Sequence, residues 1–503
     1  MTGLHCNPSP HCRPARPIWR RGYAGVALFP ARNRPAVSRP RHESRIVIQT
    51  PCGPPASPAP PTRSAADLPH AHEVQAEPVY IVDGARSPFL KARQGPGPFS
   101  AADLAVQAAA GLLLRQPFAA SDLDQVILGC AAPAADEPNI GRIVALRLGC
   151  GDPVTGWTVQ RNCASGMQAL DSAIADIQRG RSQLVLAGGT EALSRTPLLF
   201  SREAAGWFGR WAGARGPRAR LALLARLRPR FFAPVIGLLK GLTDPIVGLS
   251  MGQTAEELAT RFGIDRQAMD AYAAESHARA LQARRRGAFD EILPLIDTHG
   301  GHYADDDGVR ADATPERLAR LRPAFDPPFG NITAGNSSQI TDGAALLLLA
   351  SRQAVRRWGL QPLGRILDTQ WAGLDPARMG LGPVHAATPL LQRHGLSLAD
   401  IDLWEINEAF AAQVLACLSA WQDEDYCRQH LGSPAWGSLD RQRLNVDGGA
   451  IALGHPVGAS GARIVLHLLR ALQARGLRRG MAALCIGGGQ GGAMLVETLK
   501  DTP

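Results

Sequence analysis

Apolar and polar positions follow strand-like and helix-like periods in turn along most of the chain, beginning at Val79. Residues 79–82 form a short apolar strand, and residues 101–114 have apolar positions at helical spacing behind Ser100, a suitable N-cap. Residues 126–129 form a second apolar strand. This succession of strand, helix and strand predicts a mostly parallel sheet covered by helices.

Part of this pattern occurs twice. Residues 120–129 (ASDLDQVILG) match residues 398–407 (LADIDLWEIN) with both aspartates in register, and each segment follows a Leu-rich helix. Residues 163–180 and the apolar strand after them match residues 458–476 and their following strand in the same way. The repeat predicts two similar α/β halves, with a coincidental agreement of short βαβ segments as the alternative.

The segment between the halves, residues 201–325, lacks the repeat and predicts an inserted helical excursion. Within it, residues 204–243 hold eight Arg or Lys and no Asp or Glu. On a helical wheel the arginines, such as Arg218 and Arg226, spread around Leu221 and its apolar neighbours instead of forming one face. That distribution favours a solvated basic loop over a helix that contacts a membrane surface or a partner.

The first 78 residues differ in composition from the rest of the chain. They contain 15 of the 39 prolines, ten Arg and no Lys, and little apolar periodicity, which predicts a disordered tail. An Arg-rich, acid-poor start is also typical of a transit peptide, although this density of proline opposes the amphipathic helix of one. An over-extended reading frame is a further alternative. The tail carries +6 of the formal net charge of +10, so the body is not basic enough to predict nucleic-acid binding.

Hydropathy and cysteine content exclude further classes. The longest apolar runs, such as residues 344–350, are far shorter than the roughly 20 residues that cross a bilayer. The nine cysteines are scattered and form no Cys-x-x-Cys pair, so we expect neither a metal site nor a disulfide framework. A reducing compartment fits best: the cytoplasm, or the mitochondrion if the tail is a transit peptide.

The first candidate for chemistry is Cys163, at a predicted sharp turn between an apolar strand and a helix. The positive end of the helix dipole is expected to lower the pKa of its thiol, and backbone N–H groups of the turn can stabilise an oxyanion. Considered alone, a cysteine at this position is more often a small buried hydrophobic residue.

Three further segments carry candidate groups. His455 is the titratable ring of the glycine-rich stretch at residues 444–463, and Asn407 is a possible polarising amide in EINEAFA. Cys485 ends a strand just before Gly487, where open α/β sheets place their ligands. The glycines after Cys485 lack the Lys-Ser/Thr of a P-loop and the spacing of a dinucleotide fingerprint.

Together these segments resemble the thiolase family over residues 78–500. NCASG at Cys163, NEAFA at Asn407, GGAIALGHPVGASGAR at His455 and CIGGGQGG at Cys485 occur in the family's order. SMGQTAE, which begins at Ser250, and TAGNSSQITDGAA at residues 333–345 are similar to its coenzyme A and pocket segments.

The resemblance implies a five-layer αβαβα fold of two duplicated halves, in agreement with the repeat. Residues 79–200 and 326–352 would form the N-terminal half, and residues 353–503 the C-terminal half. Residues 201–325 would form the family's loop domain over coenzyme A. The Arg-rich part of this domain and an extra segment at 420–443 resemble the long-chain degradative branch more than the biosynthetic acetoacetyl-CoA enzymes.

The resemblance also implies roles for single residues. Cys163 would be the nucleophile, His455 the base that takes its proton, and Cys485 the acid and base of the Claisen step. The His455 ring and a water held by Asn407 would stabilise the enolate, and the backbone N–H groups of Cys163 and Gly487 the tetrahedral intermediate.

Substrate contacts follow from the same resemblance. Met251 and Phe410 match apolar pocket positions, and Ser338 matches a polar contact to the pantetheine arm. Ser250 departs from many short-chain members, which have a histidine there, so acyl-chain length stays open. The resemblance implies coenzyme A and acyl-CoA as substrates and no permanently bound cofactor or metal.

Partners and competing functions complete the expectations. A homodimer or a dimer of dimers is expected, with a partner of a β-oxidation complex or peripheral membrane contact through residues 204–243 as further options. The alternatives to a degradative thiolase are a biosynthetic acetoacetyl-CoA thiolase, a 3-oxoacyl synthase of the same superfamily, and a non-catalytic acyl-CoA-binding protein.

Overall fold

The computed structural model describes residues 77–499, so residues 1–76 of the predicted tail lie outside the described residues. The strands are β1 Val79–Arg86, β2 Leu90–Lys91, β3 Gln125–Gly129, β4 Thr155–Val159, β5 Leu184–Ala192, β6 Leu198–Leu199, β7 Val235–Ile236, β8 Leu295–Ile296, β9 His302–Tyr303, β10 Thr341–Ser351, β11 Gly364–Gly373, β12 Leu403–Ile406, β13 Arg479–Ile486 and β14 Gln490–Glu497. The helices are α1 Ala101–Leu113, α2 Ile140–Arg147, α3 Ser165–Gln178, α4 Arg202–Gly213, α5 Pro217–Leu224, α6 Gly237–Gly241, α7 Met251–Arg261, α8 Arg266–Arg285, α9 Pro315–Leu318, α10 Arg352–Trp358, α11 Gly382–Arg393, α12 Ala411–Gln422, α13 Glu424–Tyr426, α14 Ala450–Leu453 and α15 Val457–Ala474.

The large sheet consists of two half-sheets of the same design. The N-terminal half-sheet has the order β1-β10-β5-β3-β4, and the C-terminal half-sheet has the order β11-β14-β13-β12. Each neighbouring pair of strands in the C-terminal half-sheet has the same direction as its equivalent pair in the N-terminal half-sheet. At the position that β4 occupies beside β3, the C-terminal half has a single parallel bridge from Leu444 to Trp404 of β12. The two half-sheets join where residues 79–81 pair antiparallel with residues 364–366. This symmetry confirms the two similar halves.

The prediction of a mostly parallel sheet was wrong. Only the pairs β3–β4, β3–β5 and β12–β13 are parallel among the described strands of this sheet. β13 and β14 are antiparallel because they are joined by a tight turn at residues 487–489, where Gly488 and Gly489 have φ of +92° and +76°. Such a turn reverses the chain, whereas a parallel partner would need a longer crossover.

The repeated aspartates have the same structural task in both halves. Asp124 Oδ2 accepts hydrogen bonds from the backbone N–H groups of Gln183 and Leu184, at the start of β5. Asp402 Oδ2 accepts the equivalent pair from Arg478 and Arg479 at the start of β13. Each carboxylate therefore holds two neighbouring parallel strands together, which explains why the repeat keeps aspartate there.

Three buried clusters separate the layers. They pack α1 and α2 on the outer face of the N-terminal half-sheet, α3 and α15 between the half-sheets, and α11 and α12 on the outer face of the C-terminal half-sheet. Successive side chains of β10 point to opposite faces of the sheet, so that Leu346 lies in the outer cluster and Leu347 in the central one. The order of helix, sheet, helix, sheet and helix is the predicted five-layer fold.

The central helices α3 and α15 meet through glycines near their N-termini. A Cβ atom added at Gly166 would lie 3.1 Å from the backbone N of Ala462, and one added at Gly461 would lie 2.6 Å from that of Met167. In the sequence repeat, position 166 corresponds to 461 and position 167 to 462. The two contacts are therefore equivalent to each other, because each joins position 166 or 461 of one half to position 462 or 167 of the other. The two helices therefore approach each other backbone to backbone.

The predicted excursion at 201–325 is helical, as expected, but its basic run is not a solvated loop. Residues 202–213 and 217–224 form α4 and α5, because Trp207 and Phe231 give this segment a small core of its own. Among the described residues, no helix combines the length and the apolar character that crossing a membrane requires.

Candidate active site

Cys163 lies on a sharp turn between β4 and α3. Asn162 adopts φ of +43°, and Ser165 Oγ accepts a hydrogen bond from Arg161 N at 2.9 Å while donating one to Asn162 O at 2.7 Å. Asn162 Nδ2 also donates to Gly487 O at 2.8 Å. The turn therefore holds Cys163 against the glycine turn of the other half.

Burial determines the protonation of the Cys163 thiol. It raises the pKa above that of an ordinary thiol, while hydrogen bonds from the backbone N–H groups of Gly487 and Cys163 itself lower the pKa by less. The expectation of a lowered pKa was therefore wrong, because loss of solvation outweighs the N–H groups of the turn. The same two N–H groups nevertheless point to the sulfur from two chain segments.

His455 lies just before α15, with its ring buried. Nδ1 lies 2.6 Å from Ser460 Oγ, and this hydroxyl donates its own proton to Pro456 O at 3.0 Å. Because the hydroxyl proton is used, Ser460 must accept from Nδ1–H, which leaves Nε2 unprotonated. Burial, followed by the charge of Arg463, lowers the pKa of His455 to about 4. The ring is therefore neutral at physiological pH, with a free basic nitrogen.

Asn407 connects this ring to the strands of the C-terminal half. Its Nδ2 lies 3.5 Å from His455 Nε2, and its backbone N donates to Ala483 O of β13 at 2.9 Å. Its Oδ1 is buried and has no hydrogen-bond partner among the described residues. A buried acceptor without a partner is suited to a water molecule or a substrate group.

Cys485 lies two residues beyond Ala483 and is 1% exposed. Burial, and next the charge of a Cys163 thiolate, raises its pKa well above that of an ordinary thiol. Cys485 therefore stays protonated at neutral pH. The turn that follows Cys485 is hydrogen-bonded to the turn at Cys163, because Asn162 Nδ2 donates to Gly487 O, and this contact joins the two cysteine segments of different halves.

A cavity of about 340 Å³ opens at this point. Cys163, Gly487 and Met251 line it, and residues 237–246 supply a mostly apolar wall that includes Leu238 and Leu242, with Thr243 and Asp244 as its polar members. His455, Asn407 and Cys485 are buried and are not among the lining residues.

The other predicted contacts lie elsewhere. Phe410 is buried against Phe325, with ring centroids 5.9 Å apart, and Ser338 donates its backbone N–H to Ala409 O at 2.9 Å. Neither residue lines this cavity. Ser250 caps the N-terminus of α7, where its Oγ accepts from Gln253 N.

Two buried carboxylates support the site and were not singled out from the sequence. Glu191 accepts hydrogen bonds from the backbone N–H groups of Ala131, Ala132 and Gly458, and so fixes the start of α15. The sequence could have indicated Glu191, because it is the one acidic residue in the otherwise mostly apolar strand LVLAGGTEA.

Glu408 is the second of these carboxylates and is 1% exposed. It accepts from Tyr272 Oη, Ser276 Oγ, Asn445 Nδ2 and Ile451 N at 2.7 to 3.1 Å. It thereby connects α8 of the insertion to the chain around Asn407 and His455. The sequence could have indicated Glu408, because it directly follows Asn407 in the NEAFA motif.

Comparisons with known proteins cover almost all of the described chain. The family model "Thiolase, N-terminal domain" matches residues 79–353, and "Thiolase, C-terminal domain" matches residues 360–498. A 3-ketoacyl-CoA thiolase of Yersinia enterocolitica is 37% identical over 427 residues, which are 84% of this chain and 97% of that protein.

Solved structures agree. A Bacillus anthracis acetyl-CoA acetyltransferase is 38% identical with a TM-score of 0.70, covering 84% of this chain and 99% of that one. The human mitochondrial 3-ketoacyl-CoA thiolase in complex with CoA is 35% identical with a TM-score of 0.72, covering 84% of this chain and 98% of that one.

Proposed function

Because the chain belongs to the thiolase family of acyltransferases, we propose that it catalyses acyl-CoA + acetyl-CoA ⇌ CoA + 3-oxoacyl-CoA through an acyl-Cys163 intermediate. The observation that carries this mechanism is the hydrogen bond from Asn162 Nδ2 to Gly487 O at 2.8 Å, which joins the turn at Cys163 to the turn that follows Cys485, so that thiols from different halves belong to one site. A single reactive thiol would suffice for thioester exchange, whereas carbon–carbon bond chemistry also needs a separate proton donor.

In the cleavage direction Cys163 attacks the 3-oxo carbon, and His455 Nε2 takes the thiol proton. The backbone N–H groups of Cys163 and Gly487 stabilise the resulting oxyanion. The carbon–carbon bond then breaks, and the electron pair leaves on the carbon next to the thioester. Cys485 protonates that carbanion to give acetyl-CoA, while the His455 ring and a water held by Asn407 stabilise its enolate form.

The second half-reaction restores all three groups. Coenzyme A attacks the acyl-Cys163 thioester, and its thiol proton passes to the Cys485 thiolate. The Cys163 sulfur leaves and recovers the proton held by His455. The protonation states fit these roles, since the base is neutral and the acid is a protonated thiol at neutral pH.

We further propose that the physiological direction is degradative, within fatty-acid β-oxidation. Relatives named 3-ketoacyl-CoA thiolase and the apolar wall of the cavity at residues 237–246 support this direction. The biosynthetic alternative, an acetoacetyl-CoA thiolase, is supported by the similarity to the acetyl-CoA acetyltransferase.

The experiment that separates these two functions is the rate of coenzyme A-dependent cleavage of 3-oxoacyl-CoA substrates of increasing chain length. We expect kcat/KM to rise from acetoacetyl-CoA to longer substrates, because their chains bury apolar surface against Leu238 and Leu242. A rate confined to acetoacetyl-CoA would contradict the degradative proposal, and no cleavage of any substrate would contradict thiolase activity altogether.

The pH profile tests the assignment of His455 as the base. We expect kcat/KM to stay level through the ordinary histidine pKa of about 6.5 and to fall only as the pH approaches about 4. The sign follows from the lowered pKa, since the neutral ring that accepts the proton persists until that pH. An acidic limb near 6.5 would contradict the assignment.

Folding must be monitored at each pH, because the same lowered pKa affects stability. Between about pH 6.5 and 4 the unfolded chain binds a proton at His455 and the folded chain does not, so stability falls as the pH falls through this window. The control is His394→Asn, which changes a partly exposed histidine paired with Asp368 and should leave the acidic limb in place.

A further inference from the structure

Strand β12, which ends directly before Asn407, is held differently along its two edges. On one edge it pairs with β13, and Asn407 N donates to Ala483 O at 2.9 Å. On the other edge the backbone contact is the single bridge from Leu444 to Trp404, where Asn445 N donates to Trp404 O at 2.9 Å. The chain that runs beside β12 on this edge then turns away from it.

The turn begins at Asn445, which is 1% exposed and adopts φ of +46°. Gly448 N donates to Asn445 O at 3.0 Å and closes the turn, from which the glycine-rich stretch leads to His455. Asparagine is one of the few residues that enter the left-handed region without a large steric penalty. A buried non-glycine residue held there indicates that its side chain has a task.

The side chain of Asn445 continues the pairing that its backbone leaves. Its Oδ1 accepts from Ile406 N at 2.9 Å, and its Nδ2 donates to Ile406 O at 2.9 Å. Nδ2 also donates to Glu408 Oε1 at 3.0 Å. One buried amide therefore binds the residue before Asn407 through both of its main-chain groups and the residue after Asn407 through its carboxylate.

The N-terminal half shows what this amide replaces. In the repeat, positions 128 and 129 correspond to 406 and 407. There β3 pairs with β4 through to its last residues, which place Leu128 beside Thr158 and Gly129 beside Val159. A side chain takes less room than a strand, and in the C-terminal half the stretch that carries His455 comes to within 3.5 Å of the Asn407 amide.

We propose that Asn445 is a positioning residue for the carbon–carbon step, which fixes Asn407 at the end of β12 through Ile406 and Glu408. The inference rests on the proposed function, in which Asn407 holds the water that stabilises the enolate. Asn407 Oδ1 has no hydrogen-bond partner among the described residues, so the placement of its amide depends on the backbone that carries it. An error of about 1 Å in such a placement lowers a rate by up to about 10²-fold.

The acyl-exchange step does not depend on this clamp in the same way. His455 is held by separate contacts, since its ring Nδ1 lies 2.6 Å from Ser460 Oγ and its backbone N donates to Gln339 O at 3.1 Å. Loss of the Asn445 amide should therefore affect the enolate more than the attack of the Cys163 thiol.

The test is Asn445→Gly, which keeps the left-handed backbone accessible and removes the amide. We expect coenzyme A-dependent cleavage of a 3-oxoacyl-CoA to fall by about 10- to 10²-fold, and exchange of labelled coenzyme A with acetyl-CoA to fall much less. In a background of Asn407→Ala the same substitution should have almost no further effect on cleavage, because the amide that it positions is already absent.

Thr388→Val is the matched control. It removes a buried hydrogen bond of the C-terminal half, in which Thr388 Oγ1 accepts from Trp421 Nε1 at 3.0 Å, between α11 and α12. It should lower the melting temperature and leave the ratio of cleavage to exchange unchanged.

Tyr272→Phe decides the question if Asn445→Gly does not fold. The Tyr272 hydroxyl lies 3.1 Å from both Asn445 Nδ2 and Glu408 Oε1, so its loss loosens the same clamp at its outer side. We expect a loss of cleavage of several-fold with exchange unchanged, and again almost no effect in the Asn407→Ala background.

Three results would overturn the proposal: equal losses of cleavage and exchange, a full effect of Asn445→Gly in the Asn407→Ala background, or cleavage at the unchanged rate. Equal losses would mean that Asn445 only stabilises the fold. These results leave the proposed function in place. Absence of cleavage and exchange in the unchanged protein would instead contradict the proposed function, and this inference with it.

Discussion

Replacing Cys163 by alanine is expected to lower kcat for thiolysis by about 10⁴-fold or more, because no other group at the cavity can form the acyl-enzyme thioester. The variant should still fold, since Cys163 is only partly buried and its turn is held by hydrogen bonds of Asn162 and Ser165. Substrate binding should change little, so the loss should appear in kcat more than in KM.

The acyl intermediate itself can be measured. After incubation with acetyl-CoA and an acid quench, intact mass spectrometry should find an acetyl adduct on the unchanged protein and none on Cys163→Ala. Cys150→Ala is the matched control, because Cys150 is a buried cysteine near the end of α2, away from the lining of the cavity. An adduct that survives in Cys163→Ala would contradict the assignment of the nucleophile.

Replacing Cys485 by alanine is expected to separate the two half-reactions. Carbon–carbon cleavage should fall by about 10²- to 10⁴-fold, because the carbanion loses its proton donor. Exchange of labelled coenzyme A with acetyl-CoA should continue at a rate much closer to that of the unchanged protein. No carbanion forms in this exchange, so Cys485 is not deprotonated, and His455 can pass the Cys163 proton to the leaving coenzyme A thiolate and take it back from the attacking thiol. Both rates can be measured on the same preparation.

Cys417→Ala is the control for this change. Cys417 is another fully buried thiol of the C-terminal half, on α12, where it donates to Gly380 O. Its replacement should leave the ratio of the two rates unchanged. Equal losses of exchange and cleavage in Cys485→Ala would show that Cys485 supports the site structurally and is not the acid of the carbon–carbon step.

The features predicted from sequence are those that depend on local pattern or on repetition. Ser100 caps α1 as expected, and the aspartates that defined the repeat make equivalent hydrogen bonds in both halves. The strand directions were not predictable from short apolar segments, because a turn such as that at Gly488 and Gly489 decides direction over a few residues.

The electrostatics of the candidate site depart from what its sequence predicted. The turn at Cys163 was expected to lower the thiol pKa, but the effect of burial is larger, and burial depends on segments far apart in the chain. Ser460 was part of the motif, but the sequence did not show that it sets the tautomer of His455. It does so because its hydroxyl donates to the Pro456 carbonyl and must therefore accept from His455 Nδ1. The helices of the Arg-rich segment form because Trp207 and Phe231 pack together, which a wheel of arginines does not reveal.

The contact between α3 and α15 bears on the origin of the chain. Gly166 approaches Ala462, and Gly461 approaches Met167, so the same patch of each half meets its own counterpart. An interface of this kind is isologous, and it is what two identical subunits related by a twofold axis would form. The geometry is that expected of a fused ancestral dimer, whose two copies kept this contact while the rest of their sequences diverged.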